Sequence, residues 1–130
     1  FVRTNVIKQT TATVFAGVDS GQNHLIRPMM YDAYHHITNV SNPNGIERIY
    51  TVVGCICETD RFGWGRKLNE VREGDVLVLH NAGAYGYSMS SNYNSRYRPA
   101  EVLIHNGKAK LIRRRENLED LLATQVEVEI

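Results

Sequence analysis

Ile49-Tyr50-Thr51-Val52-Val53-Gly54-Cys55-Ile56-Cys57-Glu58-Thr59-Asp60 sets the reading of the whole chain. Its first five residues are all β-branched or aromatic, which suits a buried strand. A thiol and a carboxylate then stand side by side at the strand's end. Phe62-Gly63-Trp64-Gly65 follows at once. A Glu that ends an apolar run needs a partner or a task, because an unpaired carboxylate in an apolar setting is costly. This strand end therefore reads as half of an active site, with the other half outside the chain.

Working outward, residues 2–8 and 11–18 read as strands, and Asp19-Ser20-Gly21 ends the second. Pro28 suits a first helical turn, so a short helix is expected over 29–34. In that geometry Arg27 and Tyr31, four apart, project on one side. Asn42-Pro43-Asn44-Gly45 marks a loop. Residues 46–57 read as a strand pair or one long strand, and 61–66 as an irregular Gly-rich loop. Val76-Leu77-Val78-Leu79 is a short strand, and Asn81-Ala82-Gly83-Ala84-Tyr85-Gly86 crowds small residues at its end. Residues 88–98 read as an ordered loop. Asn106-Gly107 turns a hairpin between 99–104 and 108–114. Asn117 caps a helix over 118–123, and 125–130 is a tail that either adds an edge strand or is disordered. About seven short strands separated by turns predict a mainly β fold, a Greek-key β-barrel or sandwich with one or two short helices.

The chain has 130 residues, enough for one domain with a real core. It begins at Phe1 inside an apolar pattern, as expected of a piece cut from a longer protein. A net charge of +1 gives no reason to expect a nucleic-acid partner. Arg113-Arg114-Arg115 is followed by Glu116, Glu119 and Asp120, which predicts a solvated, locally balanced face. No apolar run approaches the roughly 20 residues that span a bilayer, so no membrane partner and a reduced, cytoplasmic setting are expected. Cys55 and Cys57 are not expected to bond each other. They lack the spaced partners of a zinc site, so no metal is expected either. His35-His36 reads as a surface pair, and Cys55 as packing.

Four side chains carry chemistry. A lone strand Cys reads first as a small buried hydrophobe, but Glu58 beside Cys57 moves the reading toward a proton donor. Tyr85, set among small residues, offers a phenol to a phosphate or carboxylate. Arg27 has the fork that matches a carboxylate. An acid, a thiol, a phenol and a guanidinium together suit a small zwitterionic ligand.

Several strings carry a resemblance. They are Asp19-Ser20-Gly21, Leu25-Ile26-Arg27-Pro28, Tyr31-Asp32-Ala33-Tyr34-His35, Cys57-Glu58, Asn81-Ala82-Gly83-Ala84-Tyr85-Gly86, and Ser91-Asn92-Tyr93-Asn94-Ser95-Arg96-Tyr97-Arg98-Pro99-Ala100-Glu101. In order and spacing they resemble the C-terminal β-domain of the diaminopimelate decarboxylase family. These are pyridoxal-phosphate-dependent enzymes of the alanine racemase and ornithine decarboxylase fold group. The resemblance covers residues 1–123 as that domain and leaves 124–130 as a tail. It implies an N-terminal TIM-type barrel elsewhere, carrying the lysine that holds pyridoxal phosphate and the glycines around its phosphate.

By resemblance, Cys57 is the thiol that enters a partner subunit's active site and transfers a proton. Glu58 receives the distal amino group of the substrate, and Arg27 and Tyr31 bind substrate carboxylate. Tyr85 lies against cofactor and substrate. The site is composite and forms in a head-to-tail homodimer. The reaction implied makes L-lysine and carbon dioxide from meso-2,6-diaminopimelate, and the domain alone is expected to be inert. Glu58, where ornithine-type relatives carry Asp, favours diaminopimelate over ornithine, arginine or carboxynorspermidine. A β-barrel nucleic-acid module using Arg113 to Arg115 is the rival of another class. Two departures stand out. The family pattern Cys-Glu-Ser-Gly-Asp is one residue shorter here, which leaves the place of Asp60 open, and Tyr97 stands for a Pro.

Overall fold

The computed structural model describes residues 1–57 and 59–129. Strand β1 (Val2–Gln9) runs antiparallel to β2 (Val14–Val18). Between them the Thr10 hydroxyl accepts the backbone N–H groups of Ala12 and Thr13, at 3.3 and 3.1 Å. That local bond replaces strand pairing, so the second strand begins at Val14 rather than Thr11. Strand β2 lies parallel to β4 (Glu47–Val53), which pairs antiparallel with β5 (Arg61–Asn69). On the other side β1 meets β6 (Val76–Leu79), and β6 meets β3 (Ile37–Asn39). The order is β3-β6-β1-β2-β4-β5. The two edges, β3 and β5, come side by side and nearly close the sheet into a barrel. A Cβ on Gly63 of β5 would stand only 3.1 Å from Ile37 Cδ1 of β3. Phe62, Leu77, Val18 and Val52 fill the interior.

A separate hairpin joins β7 (Glu101–His105) to β8 (Lys108–Arg113). Asn106 and Gly107 both take positive φ, 49° and 71°, as a tight Asn-Gly hairpin turn requires. Three short helices complete the described fold: α1 (Arg27–Tyr31), α2 (Gly83–Gly86) and α3 (Leu118–Leu122). None of them is long and apolar enough to cross a membrane. At α3 the Asn117 side chain accepts the Asp120 N–H, and the Asp120 carboxylate accepts the Asn117 N–H.

The mainly β, barrel-like architecture matches the sequence expectation, with one helix more than the one or two expected. The stretch 61–66 departs from it. Those residues form a strand, not a loop, because the two glycines serve the strand. Gly63 leaves room for the Arg66 side chain, and Gly65, at φ 58°, makes a bulge where the register slips between Tyr50 and Val52. Strand β4 ends at Val53 instead of continuing to Cys57. The small residues after β6 coil into α2, and no strand forms over 124–129. His35 is not a surface residue: it is 5% exposed, and its Nδ1–H donates to the His80 carbonyl at 2.9 Å. Cys55, expected to pack, is exposed.

Candidate active site

Helix α1 follows the turn after β2, with Pro28 in its first turn, where the missing N–H costs nothing. It stops at Asp32, in the left-handed conformation at φ 53°. Arg27 and Tyr31 therefore sit one helical turn apart. Tyr31 is 60% exposed. The Arg27 guanidinium lies over the ring of Tyr85 on α2, 4.7 Å from its centroid. Such a contact contributes about 0.5–1 kcal/mol at an exposed site. Among the described residues no carboxylate pairs with the guanidinium, whose edge suits a carboxylate.

The end of α2 is held from beneath. Arg98 donates from Nη2 to the Tyr87 carbonyl and from Nε to Ser90 Oγ, both at 2.9 Å. The guanidinium groups of Arg98 and Arg113 lie over the Tyr87 ring, at 4.3 and 3.9 Å. Tyr85 thus rides on a helix clamped two residues further on.

The Cys57 thiol stands exposed on a bend after β4. Asp60 organises that bend. Its carboxylate is buried and accepts the N–H of Gln22 at 2.7 Å and of Ile56 at 2.8 Å. Its backbone carbonyl accepts the Gly54 N–H at 2.8 Å. Gly21 and Gly54 make room for it, since a Cβ on either would collide with the carboxylate. The one-residue-shorter loop therefore still delivers Asp60 into the core of the bend. Burial raises its pKa above the ordinary 3.8, against the opposing pull of the two backbone donors.

A second loop leans on the same junction. His24 Nε2 donates to the Tyr97 carbonyl at 3.0 Å, since a carbonyl only accepts. The neutral ring then accepts at Nδ1 from the Ser20 hydroxyl, 2.8 Å away. Burial holds the His24 pKa below its ordinary 6.5, and Arg115 and Arg96 push the same way. Arg96 Nη2 donates to the Cys55 carbonyl at 3.3 Å, and Asn94 Nδ2 to Cys57 Sγ at 3.4 Å.

The expected residues thus fall into two groups. Arg27 and Tyr85 touch, with Tyr31 on the same helix, while Cys57 stands on a separate bend against Asn94. Glu58 lies outside the described residues. His24, Asn94 and Arg98 were not singled out by sequence reasoning, and Asp60 was named only as a residue whose place the shorter loop left open. Asn94 and Arg98 lay within a quoted motif, whereas His24 fell between two of them.

The family model described as "Pyridoxal-dependent decarboxylase, C-terminal sheet domain" matches residues 1–83. The chain belongs to this family. A diaminopimelate decarboxylase from Methanothermobacter thermautotrophicus is 50% identical over 125 residues, covering 95% of this chain and 29% of that protein. The crystal structure of diaminopimelate decarboxylase from Methanocaldococcus jannaschii superposes with a TM-score of 0.91 at 41% identity, over 98% of this chain and 29% of the other. The same enzyme in co-complex with L-lysine gives a TM-score of 0.90 at 41% identity, again over 98% and 29%. Within the pyridoxal-dependent decarboxylases, the chain therefore spans under a third of these relatives' length.

Proposed function

We propose that residues 1–123 are the C-terminal β-domain of a diaminopimelate decarboxylase, with 124–130 a tail. The full protein would convert meso-2,6-diaminopimelate to L-lysine and carbon dioxide in the cytoplasm. The observation that carries this reading is the outward presentation of its reactive groups. An exposed thiol and an exposed phenol, the latter with a half-buried guanidinium stacked on it, are presented from a rigid scaffold, as parts awaiting a second surface are. The 50% identity with a diaminopimelate decarboxylase supports the substrate.

The donor set fits one side of pyridoxal phosphate and its substrate. An aromatic ring, a guanidinium and a thiol are present. The chain's four lysines are placed elsewhere, Lys8 in β1, Lys67 paired with Glu47 at 2.6 Å, and Lys108 and Lys110 in β8. The covalent anchor is accordingly assigned to an N-terminal barrel of the same polypeptide. Val102, Ile104, Leu111 and Ile112, all exposed on the β7–β8 hairpin, suit a surface that such a neighbour covers. When bound, pyridoxal phosphate supplies the electron sink for the charge left by departing carbon dioxide. Arg27 and Tyr31 bind a substrate carboxylate. Tyr85 aligns Arg27 and lies against the cofactor. Cys57, entering the site of the partner subunit in a homodimer, holds a proton at Sγ and delivers it to the carbon that lost carbon dioxide. Glu58 receives the distal ammonium.

The test measures carbon dioxide release by the full-length enzyme from meso-diaminopimelate, ornithine, arginine and carboxynorspermidine. Diaminopimelate should be preferred. Cys57→Ala should lower kcat by roughly a hundredfold, and Glu58→Ala should erode the preference. A different preferred substrate would keep the family and overturn the substrate assignment.

A further inference from the structure

We propose that Asn94 is a positioning residue for the Cys57 thiol. The inference rests on the proton-donor reading of Cys57. An exposed Cys on a bend has several staggered orientations open to it. Here Asn94 Nδ2 donates to Sγ at 3.4 Å, an ordinary distance for sulfur. Because the amide is the donor, the sulfur spends a lone pair on it, and its own S–H points away from Asn94. The proton is thus turned toward the open side of the bend, where a substrate from outside the domain would meet it.

The backbone around Asn94 is set up for this contact. Asn94 and Ser95 both take the left-handed conformation, φ 56° and 55°, two consecutive non-glycine residues in a sparsely populated region. The turn is closed by the Arg96 N–H on the Tyr93 carbonyl at 3.3 Å and by Asn92 Nδ2 on the Arg96 carbonyl at 3.0 Å. The loop is fixed at both ends to the 20–24 turn, by the Ser91 N–H on the Asn23 carbonyl at 2.9 Å and by His24 on Tyr97 at 3.0 Å. That same turn receives the Cys55 N–H on the Ser20 carbonyl, 3.0 Å, and the Asp60 carboxylate through Gln22. Donor and thiol are two arms of one frame, so their separation is fixed by the fold rather than by chance contact of two mobile side chains.

The experiment uses the full-length enzyme with pyridoxal phosphate and meso-diaminopimelate. Asn94→Gly accommodates the left-handed backbone and removes the donor with the rest of the side chain. Asn94→Asp keeps the shape and replaces donor with acceptor. Both variants should lower kcat by roughly tenfold or more, with KM held within about twofold, because the thiol acts after the substrate is bound. In a Cys57→Ala background Asn94→Gly should have no further effect on kcat, since Asn94 acts only through the sulfur. Equal losses in both backgrounds would mark a merely structural role and overturn the proposal. So would an Asn94→Gly kcat within twofold of wild type while Cys57→Ala is impaired. If Cys57→Ala itself retains full kcat, the proton-donor reading falls and the proposal falls with it.

Discussion

Asp60 shows how much one side chain can decide. Its two carboxylate oxygens hold two separate segments, through Gln22 and Ile56, in a space left by Gly21 and Gly54. Asp60→Asn keeps the shape but turns one acceptor into an NH2 facing a backbone N–H. A buried donor then loses its partner, at about 1–3 kcal/mol. The variant is expected to melt several degrees lower, and Cys57 should become more accessible to alkylating reagents well below the melting point. An unchanged melt and alkylation rate would remove Asp60 from this role. Nothing in the string Cys-Glu-Thr-Asp told which backbone groups its carboxylate would meet. One of those groups, Ile56, is four residues earlier, but the other, Gln22, comes from a turn 38 residues earlier.

Elements were legible where their signals are local. Asn106-Gly107 marked its hairpin, and Asn117 with Glu119 and Asp120 marked the start of α3. Helix α3 depends on that cap, because its side chains bury little. Arg114 pairs with Asp120 and, with the Asn117 backbone, holds its carboxyl down to about 2. Asn117→Ala is expected to cost the helix about 1 kcal/mol. Faster hydrogen exchange should follow at Leu118–Leu122, with the barrel amides unchanged. Spread of the effect into the barrel would show that α3 is not an independent end. The 61–66 stretch misled for the opposite reason. Its glycines signal a loop locally, but they serve the Arg66 side chain, the approach of Ile37 and a bulge in β5 opposite β4, partners the local pattern does not reveal.

At the scale of the whole molecule, two titratable groups at one junction, the half-buried His24 and the buried Asp60, act on stability with opposite signs. The folded His24 takes its proton below 6.5, while the unfolded ring takes it near that value. The unfolded chain therefore binds more protons in the window below 6.5, and stability falls as pH is lowered through it. The folded Asp60 keeps its proton to a pH above 3.8. Its contribution is full below 3.8 and is lost as pH rises through the folded value. His24→Gln should flatten the decline of the melting temperature between about pH 7 and 5. A slope equal to wild type would place that decline on other groups.

The sequence alone determined the β class, the hairpin, the capped helix and the family, because β-branched runs, turn residues and motif strings act over a few neighbouring positions. It also named Arg27, Tyr31, Cys57, Glu58 and Tyr85 as the groups with chemistry to offer. Tertiary structure alone decided that Arg27 stacks on Tyr85, that Asp60 anchors the bend, and that Asn94 meets Cys57. Those contacts join residues 37 to 58 positions apart, and only the folded arrangement of the strands and the loops between them brings these residues within reach.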